Sequence, residues 1–144
     1  SSSQSAEISL EVQTAAAQLL DTCCRLRDQI DASERQLAPL HSCARRLRRP
    51  PQLGDFDEVE GGGRVWLNIG GGGSGGFVRL SKASAATLCE RRLSELELSA
   101  SRARRQLAER LESLTSTAES RQALDILLKS SNVSLSELRK YTDE

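Results

Sequence analysis

Two stretches of this chain share one apolar spacing, and that spacing limits what the chain can fold into more than any other feature. Val12, Ala16, Leu19, Cys23, Leu26, Ile30, Ser33, Leu37, Leu40, Ala44 and Leu47 follow one another in alternating steps of four and three, and only Ser33 among them is polar. A seam kept in one register over that distance is the mark of a coiled-coil helix. It predicts a helix of about 40 residues, ~60 Å long at 1.5 Å per residue. Further on, Cys89, Leu93, Leu96, Ala100, Ala103, Leu107 and Leu114 keep the same spacing. Arg110 falls on the seam position there with Leu111 beside it, so the seam is expected either to shift there or to begin to open. Two matched helices with a short connection pack antiparallel at a small crossing angle. The expected facing sets are Leu19, Leu26, Ile30 and Leu37 against Leu93, Leu96, Ala103 and Leu107, with Ala16, Ala44, Ala100 and Ala103 allowing close approach.

Breakers set the ends. Pro39 removes a backbone donor inside the first helix. Because the seam keeps its register beyond it, a kink is expected and not a stop. Arg45, Arg46, Arg48 and Arg49 crowd the C-terminal turn, where the helix dipole favours cations, and Pro50-Pro51 ends the helix. Such a basic cluster also fits a nuclear-localisation or nucleic-acid patch, but a solvated helix end explains it without either. Residues 52–63 read as an acidic, glycine-loosened linker. The second helix is predicted to start near Lys82 or Ala83, with Ser81 or Ser84 as N-cap, and to run to about residues 116–118.

Between the helices, Val65, Leu67 and Ile69 alternate with Trp66 and Asn68, the period of a β-strand. Phe77-Val78-Arg79-Leu80 is a second β-prone run. The two are predicted to form a hairpin joined by Gly70-Gly71-Gly72-Gly73-Ser74-Gly75-Gly76. That joint has the composition of an experimenter's flexible linker and is read as replacing a native loop. It is no phosphate cradle, because no Gly-Lys-Ser/Thr follows and a strand comes next. A two-stranded hairpin is marginal alone in water, so this one is expected to pack on something or to pair with strands of another chain, and its edges favour the latter.

The C-terminal stretch carries two capping signatures, Ser116-Thr117-Ala118-Glu119 and Ser134-Leu135-Ser136-Glu137, each followed by leucines. They predict two short helices separated by residues 130–133. A continuation of the second long helix and a partial helix-turn-helix are the other readings, the latter without a third helix or a basic recognition face. Leu124, Leu127, Leu128, Leu135 and Leu138 are too many apolar side chains for a freely solvated end. They either fold back on the coil or dock a partner.

The chemistry-bearing residues are few. Formal net charge is zero, so no global field draws nucleic acid or an anionic membrane. No apolar run nears the ~20 residues that span a bilayer. His41 is the one histidine, and acidic and basic residues interleave along helix faces as solvated patterns do. No triad, metal-ligand spacing or nucleotide loop is present, so no enzyme, cofactor or metal is expected. Cys23, Cys24, Cys43 and Cys89 lack a C-x-x-C spacing and read as reduced thiols. With no signal-like opening segment, the expected location is the cytoplasm, with the nucleus also open.

The order of long helix, β-hairpin and matched antiparallel helix resembles a β-type prefoldin subunit. Val65-Trp66-Leu67-Asn68-Ile69-Gly70 stands where that family has a V-Y-K-L-x-G strand. Phe77-Val78-Arg79-Leu80-Ser81-Lys82 stands at its second strand and polar helix start. The resemblance covers about residues 8–118, and the tail beyond has no counterpart in a minimal subunit. It implies that hairpins of several subunits join into β-barrels and that helical tips hold non-native clients. The expectation is therefore a mainly α chain with a small β-hairpin, an antiparallel two-helix coiled coil with short C-terminal helices. It divides into a prefoldin-like part, 1–118, and a helical tail, 119–144. Its expected function is non-enzymatic, in chaperone or complex assembly within a hetero-oligomer. The expected protein-binding residues are Val65, Trp66, Leu67, Ile69, Phe77, Val78 and Leu80 of the hairpin and Leu124, Leu127, Leu128, Leu135 and Leu138 of the tail. A coiled-coil adaptor of a kinetochore, trafficking or transcription assembly is the other reading.

Overall fold

The structure, a computed structural model, describes residues 8–48, 64–68 and 76–142. Helix α1 spans Leu10–Arg48, strands β1 and β2 span Arg64–Asn68 and Phe77–Ser81, and helix α2 spans Lys82–Thr115. Two short helices follow, α3 over Ala118–Lys129 and α4 over Leu135–Lys140. The fold is helix, hairpin, helix, with the long helices packed closely and antiparallel, as the paired seams require.

Local chemistry accounts for the ends. Ser9 Oγ accepts from the Val12 N–H at 3.2 Å and opens α1. Ser81 Oγ accepts from the Ser84 N–H, also at 3.2 Å, at the start of α2. Helix α1 continues through Pro39 and ends in a turn that holds Arg45, Arg46 and Arg48; Arg49 lies outside the described residues. Every seam position of α1 is buried or half-buried. On α2 the seam shifts and does not open: Leu111 is 5% exposed, while Arg110 is open to solvent.

Contacts divide the chain into two units, each with its own core. The first holds residues 1–34 and 98–144. Here Cys23, Leu26 and Ile30 of α1 pack with Ala103, Leu107, Leu111 and Leu114 of α2, Ala123 and Leu124 of α3, and Leu138 of α4. Leu20, which lies off the 4-3 seam, is also buried in this cluster. A core shared by four helices accepts a wider apolar face than a two-helix seam does. The tail after residue 118 packs into the same core as the N-terminal part of α1 and the C-terminal part of α2. The second unit, residues 35–97, holds the hairpin. Its core is Ala44, Cys89 and Leu93, with Leu37, Leu40, Cys43, Leu47 and Leu67 packed against it. The pairs Arg48–Glu90 and His41–Glu97 cross between the helices here. They step by seven residues in opposite directions, which fixes the antiparallel heptad register.

The tail differs from expectation in one cap. Helix α3 takes Thr117 as its N-cap, its hydroxyl accepting from Ser120 N–H at 3.1 Å, and not Ser116. The Ser116 hydroxyl donates instead to the Ser113 carbonyl at 2.9 Å, an orphan acceptor at the end of α2. Helix α4 is capped by Ser134 as predicted, accepting from Glu137 N–H at 3.2 Å.

Candidate protein-binding site

The two strands pair antiparallel with Val65 opposite Leu80, Trp66 opposite Arg79 and Leu67 opposite Val78. Alternation then sorts the side chains into two faces. Val65, Leu67, Val78 and Leu80 are half-buried, and Leu67 packs on the apolar cluster of α1 and α2. The opposite face carries Arg64, Trp66 and Asn68 from β1 and Phe77 and Arg79 from β2. Trp66 is 67% exposed and Phe77 65% exposed. They are diagonal neighbours across the ladder, a placement within reach of two large rings. The hairpin thus has a committed inner face and an outer face that shows two aromatic rings beside two arginines. Among the described residues the sheet has two strands, so each is an edge strand. Ile69 and residues 70–75 lie outside the described residues.

The tail leucines occupy a different environment. Leu124 and Leu138 are 1% and 0% exposed within the chain's own core, and Leu127, Leu128 and Leu135 are half-buried against it. Of the two alternatives for the tail, the structure shows folding back. Leu124 and Leu138 have no surface to offer a partner; Ile126, at 56% exposed, faces outward. Polar contacts that sequence patterns do not signal hold the end of the tail. Tyr141 Oη donates to Asp31 Oδ2 at 3.1 Å, and Arg104 Nη1 donates to the Tyr141 carbonyl at 2.9 Å. Arg104 also pairs with Glu34. The bond to Asp31, with burial and the Asp31 charge adding to it, holds the Tyr141 phenol above its ordinary range.

Beside the hairpin floor lies an open recess of about 430 Å³ floored by Pro39, Leu40, Leu67 and Leu88, with Arg35 and Arg92 among its lining. Arg92 Nη2 donates to Gln36 Oε1 at 3.2 Å. His41 sits half-exposed with its Nε2 3.6 Å from Glu97 Oε1. Among the described residues no group of three His, Cys, Asp or Glu side chains is placed to hold a metal ion, and no helix is long and apolar enough to cross a membrane. No protein-family model matches the chain, and neither a curated protein nor a solved structure matches it.

Proposed function

We propose that this chain is a non-enzymatic assembly subunit, prefoldin-like in architecture, that joins other protein subunits through its β-hairpin. The observation that carries the reading is the outer face of the hairpin, where Trp66 and Phe77 stand about two-thirds exposed on a sheet that, among the described residues, has two strands and hence two edges. Edges of that kind invite strand addition, in which main-chain hydrogen bonds supply affinity and side-chain pockets supply selectivity. The flanking Arg64 and Arg79 favour a partner strand that alternates apolar side chains with carboxylates. Covering the exposed parts of both rings is worth roughly 5 kcal/mol before the costs of association are subtracted. Four cysteines kept as thiols suit a cytoplasmic or nuclear setting.

The test is the double variant Trp66→Ala, Phe77→Ala, with native mass measured on the assembly that the chain forms in cells. Loss of the hetero-oligomer with the helical circular-dichroism signal intact supports the proposal. An unchanged assembly mass refutes it and leaves the adaptor reading, in which helix faces do the docking. One observation favours that second reading: Leu98 and Ile126 are 50% and 56% exposed on helices.

A further inference from the structure

Cys43 of α1 and Cys89 of α2 place their sulfur atoms 3.5 Å apart, although 46 residues separate them in sequence. Both are thiols. Cys89 is 2% exposed and Cys43 is half-buried. The pair lies in the apolar layer that also contains Ala44 and Leu93 and on which Leu67 of β1 packs. Cys23 and Cys24 differ, being neighbours on one helix whose side chains leave the axis in different directions.

We propose that Cys43 and Cys89 form an oxidation site, a dithiol that a hydroperoxide closes into a disulfide between the two long helices. Closing it asks for little movement. A disulfide holds its sulfurs at about 2.05 Å, so the two atoms approach by roughly 1.5 Å.

Exposure assigns the order of events. Cys43 meets the oxidant because Cys89 is covered. Its sulfur, having lost its proton, attacks the outer peroxide oxygen. The O–O bond breaks and an alcohol (water, from hydrogen peroxide) leaves with one proton. Cys43 is then a sulfenic acid. The Cys89 sulfur attacks the Cys43 sulfur, the S–O bond breaks, and the hydroxyl leaves as water with the Cys89 proton. Two thiols are oxidised by two electrons in total, and one peroxide is reduced to one alcohol and one water. Burial, then the hydrogen bond and charge of Cys43 and the charge of Glu90, pushes the Cys89 thiol up to about 11. At neutral pH that makes Cys89 the slower partner, fit to resolve and not to initiate. The resulting link ties α1 to α2 within the hairpin-bearing unit, under Leu67, and does not depend on what the hairpin binds.

The experiment uses the reduced full chain, hydrogen peroxide as the oxidant, alkylation of the remaining thiols in denaturant, and non-reducing peptide mass mapping. The expected product is a monomer that has lost two hydrogens, with Cys43 linked to Cys89 and with Cys23 and Cys24 alkylated. Its melting temperature rises by about 10 °C and returns to the starting value on reduction. Cys43→Ser abolishes both the link and the rise, and the wild-type map decides the matter even if that variant folds poorly. Cys43 sulfinic acid beside a free Cys89, a link to Cys23 or Cys24, or covalent dimers through Cys43 would each overturn the assignment.

Discussion

Leu138→Ala tests the finding that most changes the reading of the tail. Helix α4 is six residues long, too short to persist in water without packing. Leu138 is its one buried side chain, 0% exposed in the core shared with α1, α2 and α3. Cutting the side chain back to Cβ takes one methine and two methyl groups out of a close-packed site and leaves a cavity. Such changes cost about 2–5 kcal/mol, and a figure near 3 fits a site that can collapse in part as the short helix shifts. For a chain of 144 residues that corresponds to a fall in Tm of roughly 10 °C. Ile126→Ala is the control, a similar aliphatic on the neighbouring helix but 56% exposed. Its expected cost is within about 0.5 kcal/mol plus the small change in helix propensity. Thermal melts by circular dichroism compare the two, and amide hydrogen exchange reports whether residues 135–140 lose protection in the first variant. Equal melting temperatures for both variants and wild type would refute the fold-back packing, because a solvated tail would not register which leucine or isoleucine was cut.

Two further outcomes are expected. Leu26→Asp places a carboxylate at a position 7% exposed in the same core, with a cost of several kcal/mol in chemical denaturation; a midpoint equal to wild type would remove Leu26 from the seam. Alkaline pH should weaken the fold, because burial pushes the Cys23 thiol from its ordinary 9.0 up to about 11, Cys89 rises likewise, and Tyr141 lies above its ordinary 10.0. These groups hold protons in the folded chain that the unfolded chain releases first, so stability is full below pH 9 and falls as pH rises through 11. Denaturation midpoints at pH 8 and pH 10.5 check this, equal values refute it, and Asp31→Asn should return the Tyr141 titration toward 10.

Much of the fold is legible because helices and strands record their own geometry in sequence spacing. The 4-3 steps of Val12 to Leu47 and of Cys89 to Leu107 locate both long helices, and Arg110 on the seam marks where it is disturbed, while the burial of Leu111 shows that it shifts and does not open. The hairpin faces follow from alternation, which puts Leu67 inward once Trp66 points out. The Thr117 cap is less legible, since Ser116 and Thr117 both offer a hydroxyl and the choice depends on where α2 ends. In the fold Ser116 satisfies a carbonyl of the preceding helix.

The limits of such reading are set by distance along the chain. Periodicity determined the two helices, their pairing and the hairpin, because each rests on neighbours within a few turns or on two seams that match. It left the tail open, because Leu124 and Leu138 look the same in sequence whether the groove that receives them belongs to this chain or to another. Only tertiary structure decided that they complete the chain's own core, since burial depends on which surface stands opposite. The same holds for Tyr141 on Asp31, 110 residues apart, and for Cys43 beside Cys89. Contacts across such separations follow from how helices align in space, and no local spacing encodes them.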